Sequence, residues 1–135
     1  MIIDDHEISR AACRALLRTE GMDVVADVAP GDQAITAAAA LRPDVAVVDV
    51  SPAAGAGFGI ARWLRALPTP PIVILTSSTG RTEFGAGLNG HRFIAKADIC
   101  AAAIARLATA PETGGPESPN SGTPANRPWP SGRLP

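Results

Sequence analysis

The sequence lacks a charge excess, a cysteine motif and a long hydrophobic run. Its net charge is −1 and its basic residues are scattered, which argues against charge-driven binding to nucleic acid or to an anionic membrane. Its apolar stretches are too short to span a bilayer, and acidic residues occur within the first five positions, where a signal peptide has no place for them. These absences predict a cytoplasmic protein.

The two cysteines, Cys13 and Cys100, do not have the spacing of a metal-binding motif. Both lie in helix-like surroundings, where reduced cysteine packs as a small hydrophobic residue. We therefore expect free thiols, although the sequence alone leaves a disulfide open.

Composition divides the chain near residue 109. Beyond it, prolines alternate with Gly, Ser, Thr and Asn, and such a segment has too little apolar surface to offset the entropy of ordering. We predict one domain over residues 1–108, long enough to bury a core, and a disordered tail over residues 109–135.

Strand-like and helix-like segments alternate before that boundary. Strands are predicted at residues 1–3, 22–28, 45–50, 72–75 and 92–95. Helices are predicted at residues 8–16, 32–41 and 60–67 and after residue 98, with a weak one among the glycines of residues 80–90. Asp32 and Asp98 are the predicted helix caps. The alternation predicts a three-layer α/β fold with a doubly wound, five-stranded parallel sheet.

Polar residues end four of the predicted strands. These residues are the pair Asp4 and Asp5, then Asp49, Thr76 and Lys96. All strands of a parallel sheet point the same way, so we expect these side chains to gather at its carboxyl edge, where open α/β sheets place their sites. Three acids, a hydroxyl and an ammonium group at one edge predict a pocket for a cation and a phosphoryl group.

Asp49 is the candidate nucleophile of this pocket. A carboxylate that attacks phosphorus forms an acyl phosphate, and a divalent cation must offset the repulsion between the two anions. Asp4 and Asp5 could hold that cation together with Asp49, and carboxylate oxygens suit Mg²⁺. Three neighbouring carboxylates without a cation would repel one another. Taken alone, Asp49 could equally be a turn-capping residue.

Lys96 and Thr76 are the candidate partners of the phosphoryl group. Lys96 can pair with a phosphoryl oxygen as a point charge, and the Thr76 hydroxyl can donate to another. Each has an alternative when taken alone: Lys96 as a solvated surface lysine, and Thr76 as a helix cap.

Four stretches resemble the receiver domain of the response regulators of two-component signalling. They are Ile-Ile-Asp-Asp-His-Glu at residues 2–7, Val-Val-Asp-Val at 47–50, Leu-Thr-Ser at 75–77 and Phe-Ile-Ala-Lys at 93–96. The resemblance covers residues 1 to about 108 and is greatest to receivers that are usually joined to a helix-turn-helix output domain. It implies a flavodoxin-like strand order, 2-1-3-4-5.

The resemblance also implies roles for the site residues. Asp49 would be the phosphoacceptor, and Asp5 and Asp49 would bind Mg²⁺ directly. Asp4 would assist through water, and the backbone carbonyl of Ser51 would complete the protein ligands.

Further roles follow from the same resemblance. Lys96 and Thr76 would hold the phosphoryl group, and Thr76 and Phe93 would form a switch in which the ring fills space that the hydroxyl vacates; Phe93 is otherwise a plain core residue. Ser51 and Ser78 match positions that tune dephosphorylation. His6 is a phosphotransfer candidate by residue type, but its position favours an exposed histidine at the start of the first helix.

The sequence departs from the receiver pattern in four places, one of which is Ala97, where the residue after Lys96 is more commonly proline. Only three residues precede Asp4, so we expect the first strand to be poorly anchored. The loop after Asp49 lacks the usual Met-Pro pair and the acidic residue before glycine. The fourth helical region is rich in glycine, which affects the surface through which receivers signal.

These observations predict a stand-alone receiver that is not an enzyme beyond its own phosphorylation and dephosphorylation. Its partners would be a histidine kinase or phosphotransfer protein, a downstream protein target and a second copy of itself, bound through the fourth helix, fifth strand and final helix. Direct DNA binding is not expected, because no output domain is visible. The alternatives are a degenerate receiver that binds proteins without phosphorylation and, less favoured, a small phosphohydrolase with an aspartate nucleophile.

Overall fold

The computed structural model describes residues 1–53 and 55–111, which form one α/β domain. The strands are β1 (Ile2–Ile3), β2 (Asp27–Val28), β3 (Val45–Asp49), β4 (Ile72–Ser77) and β5 (Arg92–Ala95). The α-helices of this described part are α1 (Glu7–Thr19), α2 (Asp32–Leu41), α3 (Ala56–Arg65) and α4 (Ala101–Thr109). Two 3₁₀ segments, Arg81–Leu88 and Lys96–Asp98, flank β5.

The five strands form one parallel sheet with the order β2-β1-β3-β4-β5. Apolar side chains alternate between its faces because successive residues of a strand point to opposite sides. One core joins Ile3, Val48 and Leu75 to helices α2 and α3. The other joins Val47 and Ile74 to helices α1 and α4. The predicted three-layer fold and strand order are confirmed.

The first strand is short but well anchored, so the expectation of weak anchoring is wrong. The Asp4 amide donates to the Val28 carbonyl at 3.1 Å, and the Val47 amide donates to the Met1 carbonyl at 3.0 Å. Residues 1–4 are all buried because β1 lies between β2 and β3. The same shortness limits β2 to two residues, since β1 offers no further ladder partners to the predicted strand at residues 22–28.

Both predicted helix caps are wrong by one or two positions. Asp32 is the first residue of α2, and the N-cap is Gly31 with a φ of 140°, which only glycine adopts easily. Asp98 lies in the 3₁₀ turn, and α4 begins after Cys100, whose sulfur accepts from the Ala103 amide at 3.4 Å. The turn and the sulfur acceptor therefore displace the start of the helix.

The glycine-rich region does not form the predicted fourth α-helix. Residues Arg81–Leu88 form 3₁₀ turns, and Gly85 has non-helical angles, with φ 51° and ψ −126°. Four glycines within residues 80–90 make a regular helix costly, because each loses more backbone entropy on ordering than other residues do.

Cys13 and Cys100 are both free thiols, as expected. None of the helices in residues 1–53 and 55–111 is long and apolar enough to cross a membrane. The predicted tail lies outside the described residues from residue 112 onward.

Candidate functional site

Asp4, Asp49 and Thr76 form a row at the carboxyl edge of the sheet. Ile2 pairs with Val47, so Asp4 and Asp49 follow in the same register, and Asp49 pairs directly with Thr76. Alternation along each strand turns all three side chains toward the face covered by α1 and α4. The row therefore follows from parallel pairing, as the sequence predicts.

Asp4 is held by three donors. Its side chain is 5% exposed, and it accepts from the His6 amide and the Ser9 hydroxyl, each at 2.8 Å. Lys96 Nζ lies 2.8 Å from Asp4 Oδ2. The Asp4 backbone carbonyl accepts from Arg10 Nη1 at 2.7 Å. A buried carboxylate is stable only with such partners.

Lys96 bridges two of the acids. Its Nζ lies 2.8 Å from Asp4 Oδ2 and 2.9 Å from Asp49 Oδ1. It is the single lysine of the sequence, all other basic residues being arginine or histidine. The first 3₁₀ residue after β5 thus places its ammonium group between the ends of β1 and β3.

Helix α3 approaches the backbone of Asp49 through Gly57. A Cβ at position 57 would overlap the Asp49 carbonyl oxygen and lie 2.7 Å from Val50 Cγ1. The Asp49 side chain itself is 16% exposed. Gly57 thus permits close packing of α3 against the backbone of Asp49, while the carboxylate remains partly exposed.

Asp5 and His6 complete a group of possible metal ligands. The Asp5 side chain is 64% exposed, and its Oδ1 lies 2.8 Å from His6 Nδ1. Ligand atoms of Asp4, Asp5, His6 and Asp49 all lie within 4.8 Å of one another. Three carboxylates at this spacing fit a hard divalent cation such as Mg²⁺.

The electrostatics differ between the two acids that Lys96 contacts. Burial raises the pKa of Asp49, and the charges of Asp4 and Asp5 add to that effect, which Lys96 offsets only in part. For Asp4, burial acts in the same direction, but hydrogen bonds from Lys96, His6 and Ser9 outweigh it and lower the pKa. The site therefore has surplus negative charge, centred on Asp49, for a cation to neutralise.

The pKa of Lys96 responds to the same contacts. Burial alone would lower it, but the hydrogen bonds and charges of Asp4 and Asp49 outweigh burial and raise the pKa. Lys96 is therefore a permanent cation at neutral pH.

Thr76 lies beside Asp49 in the sheet and is not a helix cap, which corrects that alternative. The residue is 3% exposed, and its Oγ1 makes no hydrogen bond to any of the described residues. A buried hydroxyl without a partner costs about 1–3 kcal/mol. It is available for a group that enters the site.

Phe93 lies on the other face of the sheet. The register pairs it with Leu75, while Ile94 pairs with Thr76. Its ring centroid is 6.0 Å from that of Phe84, and the Arg81 guanidinium is 5.9 Å away. The structure thus connects Phe93 to the 3₁₀ segment Arg81–Leu88 and does not place its ring against Thr76.

An open groove of about 500 Å³ leads to Asp49. Asp49 and Lys96 line it together with Ser51 and Ser78, which the sequence analysis named, and with the exposed residue His6. The Ser51 hydroxyl accepts from the Ala53 amide at 3.3 Å. His6 is the N-cap of α1 with a side chain 74% exposed, so the prediction of an exposed helix-start histidine is confirmed.

Ser9, Arg10 and Gly57 are residues of the site that were not predicted from the sequence. Ser9 and Arg10 follow Asp4 by five and six residues, so the first turn of α1 turns them back toward it, and that spacing was a usable signal. The role of Gly57 depends on how closely α3 packs on β3, for which the sequence has no local signal.

The sequence of the chain matches one protein family. The profile of the response regulator receiver domain matches residues 1–99. The chain therefore belongs to the response regulator receiver family, whose members are signalling modules of two-component systems.

Two curated relatives show what kinds of protein contain similar domains. The DNA-binding transcriptional activator EvgA of Escherichia coli (strain K12) is 31% identical over 101 residues, covering 71% of this chain and 48% of EvgA. The DNA-binding response regulator MtrA of Mycolicibacterium smegmatis is 35% identical over 88 residues, covering 65% of this chain and 38% of MtrA. The chain thus spans about half or less of the length of these relatives.

A solved structure supports the same class. The signal receiver domain of a modulated diguanylate cyclase from Desulfovibrio desulfuricans G20 superimposes with a TM-score of 0.58 at 27% identity. The match covers 78% of this chain and 86% of that one.

Proposed function

We propose that this receiver domain accepts a phosphoryl group on Asp49 from a histidine kinase or phosphotransfer protein, in a Mg²⁺-dependent reaction. The observation that carries the proposal is the contact of Lys96 with Asp49, beside two further carboxylates and at the end of an open groove. A nucleophile, a cation that can follow the phosphoryl group and a set of metal ligands are thereby gathered at one point.

The reaction forms one bond and breaks one. An Asp49 carboxylate oxygen attacks phosphorus, and the bond from phosphorus to the donor breaks, so that its electron pair leaves with the donor. Lys96 then exchanges its contact with the Asp49 carboxylate for one with a phosphoryl oxygen, and the Thr76 hydroxyl donates to another. Asp5, Asp49 and the Ser51 carbonyl would hold Mg²⁺, with Asp4 assisting, and the ion would neutralise charge on the donor and acceptor oxygens.

Signalling would follow from the loss of the resting contacts of Lys96 with Asp4 and Asp49 and from the new hydrogen bond that the Thr76 hydroxyl donates. Phe93 would contribute to signalling through its ring contact with Phe84, which lies in the 3₁₀ segment Arg81–Leu88. We place the contacts with a downstream protein, or with a second copy, on the surface formed by this segment, β5 and α4.

The test is phosphorylation by a small donor. The chain is incubated with Mg²⁺ and acetyl phosphate, and its intact mass is measured. We expect an increase of one phosphoryl group that Asp49→Asn abolishes and that Asp44→Asn, at an exposed acid before β3, leaves unchanged. An adduct that persists in Asp49→Asn would refute Asp49 as the acceptor.

One observation favours a second candidate, a degenerate receiver that binds partners without phosphorylation. The segment before β5 is a kinked 3₁₀ run in place of an α-helix, so a signalling surface built on it would differ from the family pattern. This candidate predicts no adduct with acetyl phosphate and no Mg²⁺-dependent binding of beryllofluoride, an analogue of the phosphoryl group.

A further inference from the structure

A cavity of about 360 Å³ lies beside the acidic cluster, on the α1 and α4 face of the sheet. It is distinct from the open groove, although Lys96 and Ser9 border both. Its lining is mostly apolar: β1 and β3 contribute Ile2 and Val47, and α1 contributes Ala12 and Leu16.

Small side chains keep this cavity open. Ala12 on α1 and Ala97 in the 3₁₀ turn after β5 both border it. Both residues are exposed, so neither belongs to the buried core. The cavity therefore lies in the gap between α1 and this turn, and it is partly open to solvent.

At the polar end of the cavity, the charged side chains have partners and one hydroxyl does not. Asp4 is paired with Lys96 at 2.8 Å and accepts from Ser9 at 2.8 Å, so neither charge there lacks a partner. Thr76 also borders the cavity, is 3% exposed and has an Oγ1 without a hydrogen-bond partner among the described residues. One buried hydroxyl thus remains to bind a guest.

We propose that this cavity binds a small uncharged molecule, with an apolar body the size of two fused rings and one oxygen atom that accepts from Thr76. The size follows from volume, because an apolar cavity of about 150 Å³ holds benzene and ligand pockets begin near 300 Å³. The guest is uncharged because Asp4 and Lys96, the charged residues that line the cavity, already contact each other at 2.8 Å. The single oxygen follows from the single unpartnered hydroxyl.

Binding at this cavity does not require phosphorylation. It uses the hydroxyl that the proposed function assigns to the phosphoryl group, so the guest and the phosphoryl group would compete for Thr76. Only that competition rests on the proposed function.

The experiment compares two probes of one shape. The full chain, free of metal and phosphodonor, is titrated with 1-indanone and with indane, which has the same rings without the carbonyl, and binding is followed by amide NMR shifts. We expect saturable binding of both, with shifts at Ala12 and Ala97. Indanone should bind about 2- to 10-fold more tightly, the value of one net hydrogen bond. Absence of saturable binding up to the solubility limits would overturn the proposal.

Matched variants locate the binding. Thr76→Val keeps the side-chain shape and should remove the preference for indanone while indane still binds. Ala12→Leu should fill the cavity and abolish binding of both probes, whereas Ala15→Leu, at an exposed α1 position outside the cavity lining, should leave it unchanged. The dispersion of each NMR spectrum shows whether the variant is folded. Unaltered binding to folded Ala12→Leu, or a preference retained in Thr76→Val, would contradict the assignment.

Discussion

The carboxyl edge of the sheet and the segment Arg81–Leu88 are held in place by different forces. At the edge, parallel strand pairing sets the spacing of Asp4 and Asp49, and Lys96 joins them by contacts of 2.8 and 2.9 Å. The segment has 3₁₀ turns that break at Gly85, and it is held mainly by the packing of Phe84 and Leu88.

This difference separates the proposed phosphorylation site from the proposed signalling surface. The groups at the carboxyl edge lie at or just after strand ends, and the pairing of the strands sets their spacing. The proposed signalling surface depends on a short segment of 3₁₀ turns that is interrupted at Gly85. A receiver can therefore retain its pocket while its output surface departs from the family pattern. If the two regions are independent, a substitution in one should leave the other unchanged.

The largest effect is expected from Lys96→Met. Without an ammonium group facing the acceptor, the rate of Asp49 labelling by acetyl phosphate should fall by about 10²–10³-fold, as for other losses of a charge-stabilising group. The measurement is the time course of intact mass. Lys96→Arg is the control, because it keeps the positive charge and should retain part of the rate. Labelling of Lys96→Met at the wild-type rate would show that this contact serves only stability.

The next effect concerns the cation. At 100 times its Kd, Mg²⁺ should raise the free energy of unfolding of the wild type by about 2.7 kcal/mol, and Asp49→Asn should lose most of that gain. Urea unfolding at neutral pH, with Mg²⁺ or with a chelator, measures both. An equal gain in the variant would place the cation elsewhere.

The same variant has an opposite effect without metal. Burial raises the pKa of Asp49, so the ionised carboxylate costs stability, and this cost grows as the pH rises from the unfolded value of 3.8 through the folded pKa. At neutral pH the cost is complete, and metal-free Asp49→Asn should be more stable than the wild type. A less stable variant would mean that the Lys96 contact outweighs burial.

A smaller effect is expected when two glycines of α3 are compared. Gly57→Ala should lower the free energy of unfolding by about 1–3 kcal/mol and slow Asp49 labelling, because its Cβ overlaps the Asp49 carbonyl. Gly59→Ala is the matched control: its Cβ meets no atom of the described residues within 4 Å, and it should stabilise the helix slightly. Urea unfolding would contradict the packing argument if the two variants behaved alike.

The smallest effect is expected in the segment Arg81–Leu88. Gly85→Ala should cost about 1 kcal/mol, because φ 51° with ψ −126° is a conformation that side chains disfavour. Labelling of Asp49 should not change. Gly87→Ala, where a Cβ meets no described atom within 4 Å, is the control and should cost less. A change in the labelling rate of Gly85→Ala would show that the two regions are coupled.

Much of the fold was predictable because its signals are local. The apolar runs of β3, β4 and β5 were found to within about two residues, and the strand order followed from the family resemblance. The errors lie where two elements meet. The length of β2 depends on how much of β1 is available for pairing, and the start of α4 depends on the turn after Lys96.

The sequence by itself determined which residues reach the carboxyl edge. Asp4, Asp5, Asp49, Thr76 and Lys96 end their strands, and a parallel sheet must bring such ends together. Only the tertiary structure decided how they share that edge. It buries Asp4 and exposes Asp5, joins Lys96 to two acids, turns Phe93 to the opposite face and leaves a cavity behind Thr76. These outcomes depend on distances between helices and strands that are far apart in the chain, and no local pattern encodes them.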